Sequence, residues 1–270
     1  MTKSIVPILL MPVLGMLVMA PVAAPNKDGL VFVFFRGGGP MVVRQTQDYD
    51  ELAKKLKSQS KEDRRDAIER LAELSDRRAV APLIVMLNDK DPDIRAAAID
   101  ALGAIGDKTA VDPVIGMMKD QIEFVRSAAA RVLGQLDEPR AEATLTAALS
   151  DSSGSVRGAA AMALGALKAN GSVGLLITML REPSPDVRAA AATALGSLKD
   201  RKAVAPLLPV LKDDYPMVRV AAALALADIG DQGAVTALKE AISIEKDEES
   251  RSQMDEALKR LIAMQNASKG

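Results

Sequence analysis

Six arginines stand in this chain at unvarying intervals of 31 residues: Arg64, Arg95, Arg126, Arg157, Arg188 and Arg219. Five carry an acid six positions earlier, in the pairs Asp89/Arg95, Asp120/Arg126, Asp151/Arg157, Glu182/Arg188 and Asp213/Arg219. Guanidinium groups in a row offer bidentate recognition of phosphate, and a row of carboxylates offers hard oxygen ligands to a cation. The simpler chemistry is internal. An acid at the end of one helix and an arginine at the start of the next can pair within or between units, satisfy backbone N–H groups and set a stacking angle.

Composition removes most other chemistry. The 270 residues include no cysteine and no histidine, which excludes disulfides, nitrogen–sulfur zinc sites, Ser–His and Cys–His nucleophiles and imidazole acid–base work. Tyr49 and Tyr215 are the only tyrosines and tryptophan is absent, so base-stacking platforms are not expected. Basic and acidic residues balance at 35 and 36, with a pI near 5.8, against the alkaline stripe of a nucleic-acid binder. The acids Glu245, Asp247, Glu248 and Glu249 lack the alternating spacing of a calcium loop and read as a solvated loop and cap. No catalytic, cofactor or metal site is expected, and the protein reads as a non-enzyme that does not bind nucleic acid.

The elements that position the arginines repeat with them. A leucine follows seven residues later each time (Leu71, Leu102, Leu133, Leu164, Leu195, Leu226). A small residue comes next, as Ala72, Gly103, Gly134, Gly165, Gly196 and Ala227. With small residues at +3 and aliphatics at +10, this is one stripe of an amphipathic helix. A second series, Leu52, Leu83, Val114, Leu145, Leu176, Leu207 and Leu238, has an apolar partner four residues on and marks a shorter helix before each arginine helix. Polar, proline-rich links such as 89–93 join the two, and glycine stops such as Gly106 and Gly230 end each unit. The chain therefore predicts an all-α solenoid of about seven stacked helix pairs over 46–265. Its last copy is shifted by one residue and polar enough to cap the stack.

Residues 91–114, with Asp-Pro-Asp-Ile-Arg-Ala-Ala-Ala, Ala-Leu-Gly-Ala-Ile-Gly-Asp and Ala-Val-Asp-Pro-Val, resemble the short HEAT-like repeats first noted in phycobilisome lyases. The resemblance spans roughly four-fifths of the chain. It implies a right-handed superhelix, an Asp–Arg ladder within or between units and a concave face lined by the second helix of each pair. It does not imply one activity, since such repeats occur in lyases, hydroxylases, scaffolds and adaptors. The hydroxylases hold iron with His–Glu pairs, and no such pair exists here.

The first 45 residues stand outside the repeat. Lys3, an uncharged run from Ser4 to Ala24 and a small-residue end describe a signal peptide or an uncleaved membrane anchor over 1–24. Residues 25–45 read as a linker, either a tether or a short hairpin of two β-branched runs around Gly37–Gly39. A tail, 266–270, follows the solenoid. The leader implies an exported protein, periplasmic or extracellular.

Once the core stripe is assigned, the positions one and five after each arginine are left to face a partner. The +5 column reads Glu69, Asp100, Arg131, Met162, Thr193, Leu224, and the +1 column Arg65, Ala96, Ser127, Gly158, Ala189, Val220. The face thus turns from charged to apolar along the chain. Asp100, Arg131, Gly158, Met162, Thr193, Val220 and Leu224 are the expected partner contacts, with Met162, Val220 and Leu224 exposed on a docking groove. The expected function is an exported scaffold or assembly factor that binds a protein. A lyase-like or chaperone-like role on a chromophore-bearing or cofactor-bearing partner is the alternative.

Overall fold

The computed structural model describes residues 30–33 and 41–267, with side chains over 49–264 and at 266. The expected leader 1–24, the rest of 25–45 and the end of the tail lie outside the described residues. The chain divides into two compact units, Met1–Ser75 and Asp76–Gly270.

In the first unit, β1 (Leu30–Val33) pairs antiparallel with β2 (Met41–Arg44), Leu30 opposite Arg44 and Val33 opposite Met41. Helices α1 (Gln45–Lys55) and α2 (Lys61–Leu74) follow and pack on one another. Ser60 caps α2 by accepting from the Asp63 N–H at 3.2 Å.

The second unit holds six further pairs. They are α3 (Val80–Met86) with α4 (Pro92–Ile105), α5 (Val111–Met117) with α6 (Glu123–Gln135), and α7 (Glu142–Ala148) with α8 (Gly154–Ala166). Then come α9 (Val173–Met179) with α10 (Pro185–Leu198), α11 (Val204–Leu207) with α12 (Pro216–Ile229), and α13 (Ala234–Ile244) with α14 (Glu248–Ala267). Each short helix packs on its own partner, and the long helices stack in order from α4 to α14. Aspartates start several short helices through a 3-10 turn, as where Asp107 accepts from the Thr109 N–H at 2.9 Å. The short α11 gives way at Pro209 to a 3-10 turn.

The periodic residues form the core. All six leucines at +7 are fully buried, as are Ala98, Ala129, Ala160, Ala191 and Ala222 at +3. The aliphatic just before the arginine (Ile94, Val125, Val156, Val187, Val218) is also fully buried. Each large side chain so removed from water contributes about 2 kcal/mol before entropy is counted. The polar end expected of the last copy is observed: Arg251, Glu256, Lys259 and Arg260 are exposed on α14. That helix runs on to Ala267, two residues past the expected end of the solenoid.

Long helices end in a left-handed residue in six successive copies: Ser75, Gly106, Asp137, Lys168, Lys199 and Gly230, with φ between 50° and 78°. Only two are glycine, so the geometry of the turn is more regular than the residue that makes it.

The small residue at +8 has a tertiary cause. A Cβ on Gly134, Gly165 or Gly196 would lie 2.7–2.8 Å from the backbone Cα of Ala163, Ala194 or Ala225 in the next copy. The long helices therefore meet backbone to backbone. Gly116, within α5, has nothing within 4 Å of its Cβ position and no positive φ. Gly116→Ala should raise the stability by about 0.5–1 kcal/mol through helix propensity, read as a higher urea midpoint at unchanged slope.

Candidate functional site

The arginine column makes its ion pairs between copies. From Arg95 to Arg219, each guanidinium reaches forward to the acid of the next copy through Nε and Nη2, and back through Nη1 to the carbonyl of the acid six residues before it. Arg95 donates to Asp120 at 2.7 and 2.8 Å and to the Asp89 carbonyl at 3.0 Å. Arg126 meets Asp151 at 2.8 Å twice and the Asp120 carbonyl at 2.8 Å. Arg157 meets Glu182 at 3.1 and 2.8 Å, and Arg188 meets Asp213 at 2.7 and 2.8 Å. Their Nη1 groups take the carbonyls of Asp151 and Glu182. Arg64 collects the carbonyls of Ser58, Gln59 and Ser60 in its own unit.

A fifth rung was hidden in the acidic run near the C-terminus. Arg219 forks onto Glu245 at 2.6 and 2.7 Å, with the Glu245 side chain 2 % exposed. Glu245 is therefore a buried ladder residue, and only its neighbours belong to the solvated loop. The interval to this acid is 26 rather than 25, the same one-residue shift that marks the last copy in the sequence.

The carboxylates also order the links. Asp120, Asp151 and Asp213 accept the N–H two residues on, at 2.8–3.0 Å, and Glu245 accepts those of Lys246 and Asp247. Burial works against the charge at Asp120 and Asp213, but the arginine and the link N–H hold both below the usual carboxylate range. The hydrogen bond from Arg126 does the same for Asp151. Arg219 brings Glu245 down from 4.5 to about 2. Both partners of each rung thus spend their polar groups chiefly on one another and on the backbone of the links. Among the described residues no group of three acids could hold a metal ion.

The Glu245 rung gives a pH dependence with a definite sign. A carboxyl whose folded value lies below its unfolded one stabilises above the unfolded value and loses this as pH falls through the folded one. Stability should fall between about pH 4.5 and about pH 2 by about 1–2 kcal/mol from this rung, after allowance for screening. Glu245→Gln should flatten that part of the profile in acid titrations followed by circular dichroism.

The expected partner contacts divide. Asp100, Arg131, Met162 and Thr193 are exposed, Met162 at 47 %. Arg131 pairs with Asp100 of the preceding copy, an exposed ion pair worth about 0–1 kcal/mol. Thr193 donates to the Ala189 carbonyl at 3.0 Å in its own helix. Gly158 is half-buried, its Cβ position 3.7 Å from Ala190 of the next long helix.

Val220 is not exposed: it is 8 % accessible, as is Ala189, and Leu224 is half-buried. The reason is the direction of the +1 column, which points along the stack toward the next long helix rather than away from it. For α12 that neighbour is α14, the longest helix in the chain. The apolar end of the column is therefore partly core, and only Met162 stands as a large exposed apolar residue in either column.

Met162 lies in an open groove of about 600 Å³ across the starts of α6, α8 and α10. Gly158, Ala159 and Ala190 form its floor with Met162, serines line it, and Glu123 and Asp186 stand at its two sides.

HEAT-repeat sequence patterns match residues 49–129, 117–182 and 172–259, together most of the chain. The chain belongs to the HEAT repeat family. Among solved HEAT-like folds, it is similar to a chain in the complex of CpcE and CpcF of phycocyanin lyase from Nostoc sp. PCC7120, with 25% identity and a TM-score of 0.56. That match covers 86% of this chain and 96% of the other. It is similar in fold to YibA of E. coli (22% identity, TM-score 0.54, 79% and 94% of the two chains). A chain of the Kap95p–RanGDP complex also shares the fold (12%, 0.63, 80% and 36%). No curated protein matches by sequence. No helix among the described residues of this HEAT repeat protein is long and apolar enough to cross a membrane.

Proposed function

We propose that this protein is a non-enzymatic interaction module, a right-handed solenoid that holds a partner polypeptide on the concave side formed by its long helices. It works as an exported scaffold or assembly factor, free or tethered through residues 4–24. The observation that carries this reading is Met162, an apolar side chain left 47 % exposed in a groove whose surroundings are small and polar. The ladder supports it too: the most regular charges are spent on rigidity, which lowers the ordering entropy lost on binding.

A second reading is favoured by the phycocyanin lyase likeness, which extends over nearly all of both chains. In it the module is lyase-like or chaperone-like and handles a chromophore-bearing partner.

Met162→Glu/Thr193→Glu alters two exposed residues without touching the ladder. Relative to wild type, the variant should recover at least about tenfold less of the bound partner, at unchanged helicity. An unchanged set of partners would sink the interaction reading at this face. Visible absorbance travelling with the wild-type complex would favour the lyase-like role, and a colourless partner would count against it.

A further inference from the structure

The groove exists because one copy departs from the others. At the two positions opening the long helix, the copies carry Pro92-Asp93, Glu123-Phe124, Gly154-Ser155, Pro185-Asp186 and Pro216-Met217. Only α8 begins with glycine and serine. Gly154 and Ser155 line a trough between the copies on either side, and Met162 lines it further along.

The walls carry the informative charge. Glu123 and Asp186 are both exposed, and among the described residues neither makes an ion pair. No lysine or arginine lines the groove itself, so the two carboxylates are the charged side chains a ligand in it would meet. Acids in a first helical turn are ordinary, since the helix dipole favours them. Here, however, two acids without an ion pair line the same groove as an exposed methionine. A lone cation would use the acids but not the methionine, and a purely apolar helix would leave both acids facing greasy surface.

We propose that the groove takes an extended basic polypeptide segment, with one aliphatic side chain on Met162 and a lysine or arginine on each side pairing with Glu123 and Asp186. This rests on the interaction reading above and names the chemistry of the partner. The acids sit two helix spacings apart, roughly 16–20 Å. An extended chain covers that in about five or six residues, which sets the separation of the two cations. Serine hydroxyls along the trough offer hydrogen bonds to the segment's backbone.

The test uses the full chain and a nine-residue alanine-based peptide with arginine near each end and leucine at its centre. Its twin has glutamate in place of both arginines, and binding is read by fluorescence anisotropy. The arginine peptide should bind at least about tenfold more tightly than the twin, and weaken severalfold between about 50 and about 300 mM salt. Glu123→Gln/Asp186→Asn and Met162→Ser should each weaken it about fivefold or more, with helicity unchanged. Absence of binding, equal binding of the twins, or indifference to these substitutions would overturn the assignment. Glu123→Gln/Asp186→Asn is also compared with Met162→Glu/Thr193→Glu in partner recovery. If only the second loses the partner, the basic segment is wrong and the interaction face stands. If neither does, both readings fall.

Discussion

Gly196→Ala should destabilise the protein by about 1–3 kcal/mol, although alanine is the better helix former by about 1 kcal/mol. The sign is decided by what the added methyl meets. It would lie 2.7 Å from Cα of Ala225 and 3.0 Å from its Cβ, in the next long helix. Neither atom is the tip of a flexible chain, so α10 and α12 must move apart. That movement loosens the fully buried Leu195, Ala192 and Ala222. Gly165→Ala should behave alike, with Ala194 Cα at 2.8 Å. Adding Ala225→Gly to Gly196→Ala should restore part of the loss, because it removes the facing methyl but leaves the backbone, which lies closer still. Urea unfolding at matched slope measures all three, with Gly116→Ala as the control of opposite sign. A stabilising Gly196→Ala would mean that the stack has slack where these helices meet.

Arg126→Met should cost about 2–4 kcal/mol. The Asp151 side chain is only 15 % exposed, and it would keep its charge without the fork that compensates it. The carbonyls of Asp120 and Gln121 would lose their donor as well. Asp151→Asn removes the charge and preserves much of the shape, so a double-mutant cycle isolates the rung. Its coupling energy should be about 1–3 kcal/mol. Because each copy touches mainly its neighbours, a broken central rung should also broaden the unfolding transition or split it in two. Coupling below about 0.5 kcal/mol would make the ladder an accompaniment to packing rather than a cause of stacking.

The fold was readable because repetition turns one weak signal into many. A leucine at one position suggests little, but six at an interval of 31 require a buried stripe, and all six are fully buried. The small residue at +8 was visible as a pattern, and its cause, the meeting of two backbones, was not. The ladder left two partners open for each arginine, its own acid or the next copy's. Both take part: the next copy supplies the carboxylate and the arginine's own copy supplies a carbonyl. Glu245 was missed although the one-residue shift of the last copy was in plain view.

The binding face was read less well, for a geometric reason. Helical periodicity says which residues share a side of one helix, and the +1 column does leave the core stripe. Periodicity cannot say where the next helix lies. In the stack that column turns toward the neighbour, which buries Val220, whereas Met162 in the +5 column stays exposed. The groove beside Met162 has the same origin, since Gly154 and Ser155 form a trough only between copies that carry Glu123 and Asp186. The sequence by itself determined the repeat, the helix pairs and the core, because burial within a repeating unit depends on local period. Only the tertiary structure decided which acid each arginine holds and which apolar residue remains for a partner, because both depend on the offset between successive copies.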